Sequence, residues 1–225
     1  MKDKNLQETW DKIAKSFDKT RKKPWKECTD FIESLEPSTI LLDACCGNAR
    51  NTLLFHNKFK KIICLDFSSN LLKIVKEKIK EEEIENIELI HANVEDIPLE
   101  DDSVDNVIFI AALHNIKGRE NRIKSLKEIK RVLKKSGKAL ISVWSREQDK
   151  FRDIFKEKKT KKDEEFGDIE IYWNQDGLDI PRFYHLYSKE EFIEDLERSG
   201  FKILEIKGVK LVSKEYDDNY FALVE

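Results

Sequence analysis

At 225 residues the chain is long enough to bury a hydrophobic core, and we expect one domain over 1–225. The net charge is only −3 although 39% of the residues are charged, because basic and acidic residues are segregated along the sequence. No apolar run reaches the roughly 20 residues that cross a membrane, and the first residues lack the apolar segment of a secretory signal. We therefore expect a cytoplasmic protein with no membrane partner.

Two helices are predicted before the first strand, over 7–17 and 26–35, and they join around Pro24. We interpret 1–36 as an N-terminal helical cap. Five apolar runs follow, nearly continuous rather than alternating, as in strands that are buried on both faces of a parallel sheet. These runs are 39–45, 61–67, 86–92, 105–113 and 138–144.

Segments with the apolar spacing of helices lie between some of these strands. Apolar residues recur at helical spacing in 69–83 and in 119–135, and Gly137 is placed to end the second helix. Alternation of strand and helix over 39–144 predicts an α/β fold with a Rossmann-like, doubly wound sheet.

The chain after the fifth predicted strand begins with a less regular segment. Residues 145–187 form a long irregular segment with a basic half and then an aromatic half. A helix over 188–199 is predicted to end at Gly200, and strands over 201–209 and 219–225 close the chain.

The turn after the first strand, LLDACCGNAR at 41–50, has the position of a nucleotide-binding loop. Such a turn presents backbone N–H groups to a ligand, and Asp66, nineteen residues after Gly47, is spaced to bind ribose hydroxyls. These features fit either a nicotinamide dinucleotide or S-adenosylmethionine. Cys45 and Ala49, however, stand where glycines are usual. A pyrophosphate needs close backbone approach, so these residues favour S-adenosylmethionine, provided that their φ angles are not positive.

DACCGNARN at 43–51 resembles the cofactor motif D-x-G-C-G-x-G of class I S-adenosylmethionine-dependent methyltransferases. VDNVIFIAALH and RVLKKSGKALISVW resemble the fourth and fifth strand motifs of the same proteins. The resemblance implies a seven-stranded sheet that is mostly parallel, with an antiparallel last strand, and it implies S-adenosylmethionine as the cofactor.

Five further segments resemble one subfamily, the tRNA wobble-uridine methyltransferases that esterify 5-carboxymethyluridine. The segments are WDKIAKSFDKTRKKPW at 10–25, IAALHNI at 110–116, SVWSREQ at 142–148, RFYHLY at 182–187 and YDDNYFALVE at 216–225. This resemblance covers nearly the whole chain. It implies that tRNA is the substrate, that 145–187 is a substrate-side insertion and that a small zinc-binding activator protein is a partner.

The resemblance also implies a set of cofactor-binding residues: Asp43, Cys45, Gly47, Asp66, Phe67, Asn93, Val94 and Ala111. Asp43 and the turn to Gly47 would hold the methionine part. Asp66 would bind the ribose, and Asn93 the adenine, although the family usually has an aspartate there. We expect no metal ligand in this chain, because Cys28, Cys45, Cys46 and Cys64 have the pattern of buried thiols.

The chemistry of the reaction indicates what the substrate side requires. A carboxylate nucleophile is already ionised at neutral pH, so groups that orient it are needed and a general base is not. We assign Arg21 to this carboxylate or to a nearby phosphate, because a guanidinium matches two oxygens. His114 follows the fourth strand, and we expect it to orient the substrate or to donate a hydrogen bond.

Three residues of the RFYHLY segment, Arg182, Tyr184 and His185, are expected to line the pocket of the base, and Tyr184 could stack on uracil. Trp25 and Trp144 are expected to pack in the core.

Two other functions share the same sheet motifs. A methyltransferase of a small metabolite would not need the basic segments 19–26 and 117–138, which could contact phosphates. A non-catalytic scaffold of a tRNA-modifying complex would not bind S-adenosylmethionine.

Overall fold

A central seven-stranded sheet and a separate two-stranded hairpin carry the fold in the computed structural model, which describes residues 2–157 and 164–225. The strands are β1 Ile40–Ala44, β2 Lys61–Asp66, β3 Ile87–His91, β4 Val104–Ile110, β5 Leu133–Trp144, β6 Asp168–Trp173, β7 Ile180–His185, β8 Ile203–Val209 and β9 Asn219–Val224. The helices are α1 Lys2–Thr20, α2 Lys26–Ser34, α3 Ser69–Glu81, α4 Arg119–Val132, α5 Arg152–Glu157 and α6 Lys189–Arg198.

The large sheet has the strand order β3-β2-β1-β4-β5-β9-β8. The strands β1 to β5 pair in parallel, and β9 is inserted antiparallel between β5 and β8. This arrangement confirms the predicted mostly parallel sheet with an antiparallel last strand. The strand order reverses between β1 and β4, so a crevice forms at the carboxyl ends of these two strands.

Both faces of the sheet are covered by helices. One face packs on apolar residues of α4 and α6, including Leu126, Ile129 and Phe192. The other face packs on α2 and α3, for example on Ile32 and Val75. All five side chains are at most 4% exposed, which accounts for the nearly continuous apolar runs of the strands between them.

The predicted helix end at Gly137 was wrong. α4 ends at Val132, and Gly137 lies inside β5. The pairing of β4 with β5 is irregular here, because it passes from Val104–Leu133 to Asn106–Lys138. A Cβ atom on Gly137 would lie 2.6 Å from the carbonyl oxygen of Asp105, so this glycine permits close strand approach.

The segment 145–187 contains more regular structure than we expected. It includes α5 and an antiparallel hairpin in which Asp168 lies opposite His185 and Trp173 opposite Ile180. The hairpin pairs with no strand of the large sheet, and burial alternates only loosely along β6. Its strands therefore lack the continuous apolar runs of the core strands.

α1 lies over the carboxyl end of the sheet. Asp11 in α1 accepts hydrogen bonds from the Ser68 hydroxyl (2.6 Å) and from the Asn70 N–H (3.0 Å). Ser16 accepts a bond of 2.9 Å from the indole N–H of Trp173 in β6. α1 thereby joins the start of α3 to the hairpin. None of the helices in the described part of the chain is both long and apolar enough to cross a membrane.

Candidate functional site

A cavity opens at the carboxyl ends of the parallel strands, between α1 and the hairpin. Apart from His185, every predicted site residue lines it: Arg21, Asp43, Cys45, Gly47, Asp66, Phe67, Asn93, Val94, Ala111, His114, Arg182 and Tyr184. Residues from distant parts of the sequence meet here because β1, β2 and β4 all end at the same edge.

The loop after β1 has three residues in the left-handed region. The φ angles are 56° at Cys45, 57° at Gly47 and 53° at Ala49, so our expectation that Cys45 and Ala49 avoid positive φ was wrong. A left-handed residue with a side chain costs about 1–2 kcal/mol. Hydrogen bonds hold the loop in this form, because the N–H of Cys46 donates to Leu65 and that of Gly47 donates to Asp66.

At Gly47 the backbone angle, and not the space, favours glycine. A Cβ atom at this position would lie 3.4 Å from the ring of Phe17 in α1, which is an ordinary van der Waals contact. A side chain would instead be strained by the positive φ angle of 57°.

Asp43 and Asp66 place two buried carboxylates at the cavity. Asp43 accepts a hydrogen bond of 2.7 Å from the Thr52 hydroxyl, and burial raises its pKa to about 7. Asp66 accepts bonds of 2.8 Å from the N–H groups of Gly47 and Ser68, yet burial outweighs them and raises its pKa to about 6. Each carboxylate has lone pairs left for a ligand hydroxyl or ammonium group.

The adenine side of the cavity is formed by the loops after β3 and β4. The side-chain oxygen of Asn93 accepts a hydrogen bond of 3.0 Å from the Glu95 N–H, and Val94 provides an apolar wall. Ala111, with φ at 52°, donates its N–H to the Ser142 hydroxyl at 2.9 Å. These contacts fix the backbone that an adenine ring would lie against.

The donors and acceptors fit S-adenosylmethionine. Asp66 offers carboxylate oxygens to ribose hydroxyls, and Asp43 offers them to an ammonium group. In addition, the side-chain oxygen of Asn115, which lines the cavity, is buried and has no hydrogen-bond partner among the described residues. A buried acceptor of this kind is expected to find its donor in a bound ligand.

Three guanidinium groups, from Arg21, Arg50 and Arg182, converge on the other half of the cavity. Among the side chains that the structure describes, those of residues 6–157 and 164–225, no carboxylate forms an ion pair with any of them. Burial, followed by the charge of Arg21, lowers the pKa of Arg50 to about 10. Burial likewise lowers the pKa of Arg182, and its Nε atom has no hydrogen-bond partner in the described part of the chain. This half of the cavity therefore favours an anion.

Aromatic side chains form the wall beside these cations. Tyr184 stacks on His114 and on Trp144, with ring centroids 5.4 and 5.0 Å apart. Arg21 and Arg182 lie 5.0 and 4.9 Å from the ring centre of Trp173. Flat aromatic faces next to guanidinium groups suit a planar ligand that carries a negative charge.

His114 is neutral at physiological pH. Its Nδ1 atom accepts a hydrogen bond of 3.0 Å from the Trp144 N–H, which leaves the proton on Nε2. Burial, with a contribution from the charge of Arg182, lowers its pKa to about 3. His114 can therefore donate a hydrogen bond, but it is too weak a base to remove a proton.

The expectation that His185 lines the cavity was wrong. Side chains of a strand alternate between its two faces, so Arg182 and Tyr184 face the cavity while His185 points away from it. His185 is buried between Asp168 and Glu191 instead.

Several cavity residues were missed. Trp25 and Trp144 pack against buried core residues, as expected, but both also line the cavity, as do Trp10, Arg50 and Trp173. Trp144 ends β5, which is a strand end of the type that carries ligands, so its position was a usable signal. Trp10 and Trp173 are distant in sequence from the sheet motifs, and only the packing of α1 on the hairpin brings them here.

Comparison with known proteins shows two kinds of relatives. Residues 42–141 match the family described as methyltransferase domain. The chain is 35% identical over 144 residues to tRNA (carboxymethyluridine(34)-5-O)-methyltransferase ALKBH8 of Xenopus tropicalis, covering 64% of the chain and 22% of the relative. It is 32% identical over 149 residues to demethylmenaquinone methyltransferase of Bacillus mycoides, covering 62% of each. The chain thus spans about a fifth of the length of the ALKBH8 relatives.

Solved structures share the fold. A protein of Methanosarcina mazei described as an S-adenosylmethionine-dependent methyltransferase superposes with a TM-score of 0.74 at 16% identity, covering 90% of this chain and 97% of the other. A complex of the Haloferax volcanii Trm112 methyltransferase activator with a methyltransferase gives 0.67 at 14% identity, covering 96% of both chains.

The strain in the loop can be measured with two buried alanines. Ala49 has φ at 53° and Ala44 lies in β1, and both are fully buried, so glycine removes the same buried methyl group at each position. We expect Ala44→Gly to lower the free energy of unfolding. The change for Ala49→Gly should be about 1–2 kcal/mol more favourable than that for Ala44→Gly, because glycine at position 49 relieves the left-handed strain. Urea denaturation measures both values. Equal losses at the two positions would contradict the strained loop.

The affinity for S-adenosylmethionine should depend on pH through Asp66. Ribose hydroxyls bind the ionised carboxylate best, and the pKa of Asp66 in the free protein is about 6. Ionisation of Asp66 should therefore lower the dissociation constant about tenfold between pH 5 and pH 7, and ionisation of Asp43, whose pKa is raised to about 7, should lower it further. Calorimetry tests this, with Asp66→Asn as the isosteric control that should bind weakly and lose the part of the dependence that comes from Asp66. A constant affinity of the wild type over this range would refute the role of Asp66.

Proposed function

We propose that this chain, which belongs to the class I S-adenosylmethionine-dependent methyltransferases, esterifies the carboxymethyl group of a wobble uridine in tRNA. One observation carries the proposal: three guanidinium groups, from Arg21, Arg50 and Arg182, lie beside an aromatic wall in the cavity, and none of them pairs with a carboxylate among the described side chains. A pyrimidine base with an attached carboxylate has both features that this half selects. The tRNA methyltransferases among the relatives support the same substrate.

Esterification requires alignment rather than proton transfer. When bound, S-adenosylmethionine would supply a methyl group on a sulfonium, and transfer to a carboxylate oxygen would form a C–O bond, break the C–S bond and release a neutral thioether. The arginines would orient the carboxylate for this transfer, and α1 and the hairpin would exclude water. Since the nucleophile is already an anion, no residue has to act as a general base.

Arg21 and Arg182 are the residues that we assign to the carboxylate. Both lie within 5.0 Å of the Trp173 ring centre, which restrains them on the same side of the cavity. Mutual repulsion contributes to the lowered pKa of Arg182, so a bound anion would relieve it. The planar fork of each group can bind one or two oxygens and thereby fix the direction of attack.

His114 and Tyr184 are assigned to the base. Stacking of a base on an aromatic side chain stabilises binding by about 1–3 kcal/mol. The Nε2–H of His114 is a donor that suits a carbonyl oxygen of uracil, because a neutral imidazole with an occupied Nδ1 has only this proton to give.

The basic segments differ in where they lie. Both contain ion pairs within the protein: Arg119, Arg122, Arg131 and Lys134 form them in 117–138, and Lys19, Lys22 and Lys26 form them in 19–26. In 19–26, however, Arg21 lines the cavity, and the exposed Lys22 and Lys23 follow it directly. The segment 19–26 is therefore the better candidate for contacts with phosphates that flank the modified uridine.

We further propose the parts and partners of this enzyme. Residues 1–36 would form the cap and 145–187 the substrate-side insertion of one methyltransferase domain, because both border the cavity. A small zinc-binding activator is proposed as a partner, and the Haloferax volcanii complex with the Trm112 activator supports it. The cytoplasmic location expected from the sequence stays a prediction.

One reaction tests the proposal against its rivals. The protein, with an activator, is incubated with labelled S-adenosylmethionine and with tRNA that carries 5-carboxymethyluridine. We expect label in the tRNA that mild alkali releases, since esters hydrolyse in alkali. Alkali-stable label would indicate a base or ribose methyltransferase. Label only in small molecules would indicate an activity like that of the demethylmenaquinone methyltransferase relatives, and no cofactor binding at all would indicate a scaffold.

Replacing Arg21 or Arg182 by alanine should separate substrate from cofactor binding. Each variant loses a charged hydrogen bond of about 1.5–3 kcal/mol, so kcat/KM for tRNA should fall tenfold to more than a hundredfold. The dissociation constant for S-adenosylmethionine should stay within about threefold. The matched control is Arg198→Ala, which removes a half-exposed arginine of α6 whose only described ion pair is the 3.9 Å contact with Glu120. Near-normal kcat/KM in both cavity variants would overturn the assignment.

The rate with saturating cofactor should not vary between pH 6 and pH 8. The substrate carboxylate ionises near pH 4, and the pKa of His114 is lowered to about 3, so neither group changes its charge in this window. Single-turnover methylation measures the rate. A rise with a midpoint near pH 6.5 that disappears in His114→Asn would show that His114 acts as a base instead.

A further inference from the structure

His185 lies on the face of β7 that points away from the cavity, between two carboxylates. Its Nδ1 atom is 2.8 Å from Oδ1 of Asp168 in β6, and its Nε2 atom is 2.7 Å from Oε1 of Glu191 in α6. The side chain is only 1% exposed. No step of the proposed methyl transfer uses this imidazole.

The two short contacts define its protonation. Ionised carboxylates only accept hydrogen bonds, so both ring nitrogens of His185 must carry a proton, and the ring is an imidazolium. Burial disfavours the charged ring, but the bonds to Asp168 and Glu191 outweigh burial and raise its pKa. The same bonds lower the pKa of Asp168 and of Glu191 against the effect of burial.

Charged groups on the neighbouring elements that the structure describes balance this centre. On α4, Arg122 donates to Glu165 at 2.7 Å and lies 3.8 Å from Glu191. Arg146, which follows β5, donates to Glu191 at 3.2 Å. Next to these residues, Asp195 pairs with Arg119 and accepts a hydrogen bond from Tyr187, whose ring contacts that of His185. The charge of His185 also contributes to the lowered pKa of His114.

A metal ion is a poor alternative for this cluster. Ligand atoms of Glu165, His185 and Glu191 lie within 4.8 Å of one another, which is close enough to bind a cation. The fully buried guanidinium of Arg122, however, already pairs with Glu165 and lies near Glu191. Both nitrogens of His185 also face carboxylates as donors, so no lone pair is left for a metal.

The cluster joins the substrate strand to the rest of the protein. β7 carries Arg182 and Tyr184 towards the cavity, and His185 is the next residue after Tyr184. Through Asp168 and Glu191, it ties the end of β7 to the hairpin partner β6 and to α6. The hairpin pairs with no strand of the large sheet, although the backbone of Tyr187, just after β7, bonds to Trp144 and to Arg146 at 2.9 Å each. The side-chain bonds of His185 add to these backbone bonds in fixing the end of β7 against the core.

We propose that His185 is a positioning residue: a protonated imidazole, held between Asp168 and Glu191, that fixes β7 so that Arg182 and Tyr184 meet the substrate carboxylate and base. The identity of the substrate rests on the proposed function, but the protonation and the position of β7 do not. Since the folded pKa is raised, the stabilisation is complete below the ordinary pKa of about 6.5 and is lost as the pH rises through the folded value.

Nitrogen NMR tests the protonation without any substrate. The chain has four histidines, so the His185 signals are identified by their loss in His185→Gln. At pH 6.5, where an ordinary histidine is about half protonated, His185 should be mostly protonated on both ring nitrogens, because its pKa is raised. His114 should be neutral with its proton on Nε2. A His185 ring that is mostly neutral at this pH would overturn the proposal.

Hydrogen exchange tests the positioning, also without substrate. The protection of the β7 amides should fall at the alkaline pH at which His185 loses its proton. Asp168→Asn keeps the imidazole but removes one carboxylate. The midpoint of His185 deprotonation and the midpoint of the loss of β7 protection should therefore both move to lower pH. Glu190→Gln is the control, because Glu190 lies in the first turn of α6 and forms no described contact with His185. Unchanged midpoints in Asp168→Asn would overturn the proposal, and this variant keeps the test valid if His185→Gln fails to fold.

Kinetics extend the test to the substrate. Asp168→Asn should raise KM for the tRNA at a lower pH than in the wild type, and the affinity for S-adenosylmethionine should stay within twofold. A KM that keeps its wild-type pH dependence would contradict the role of His185 in substrate binding. If the wild type methylates no tRNA, the proposed function fails, while the NMR and exchange results still decide the role of His185.

Discussion

The buried carboxylate of Asp66 is the contact on which the cofactor side depends. It accepts the N–H of Gly47 from the loop after β1 and the N–H of Ser68 at the start of α3, so one side chain joins the ends of two strands. These bonds, together with the pairing of Cys46 with Leu65, hold the loop in a left-handed form that Cys45 and Ala49 would not adopt by themselves. The loop in turn supports α1 through Gly47 and Phe17.

Burial has opposite consequences in the two halves of the cavity. It raises the pKa of Asp43 and Asp66, so these carboxylates gain from a ligand that donates hydrogen bonds or brings positive charge. It lowers the pKa of Arg50 and Arg182, which gain from an anion. A sulfonium cofactor and a carboxylate substrate would each supply the charge that its half lacks, and the two reacting groups would meet between them.

The half of the cavity that contains the arginines draws on α1 and the hairpin as well as on strand ends. α1 and the hairpin contact each other through Ser16 and Trp173, and the His185 cluster, together with the backbone bonds of Tyr187, holds the far end of the hairpin. Under the proposed function, the strand ends would hold the cofactor, whereas α1 and the hairpin would select what is methylated. The matched relatives include proteins named tRNA methyltransferase and proteins named demethylmenaquinone methyltransferase, as expected for sheet motifs that do not depend on the substrate.

Apolar runs and strand-end positions are local patterns with one physical meaning in a parallel sheet, so the doubly wound sheet, the loop after β1 and most cavity residues at the strand ends could be predicted from the sequence. The positive φ angles of Cys45 and Ala49 could not, because the loop that contains them is held by bonds of Cys46 and Gly47 to the end of β2. The tertiary packing had to show this. It also decided that His185 points away from the cavity, because the face of a strand depends on its pairing register and the hairpin lacks an apolar pattern that would reveal this register.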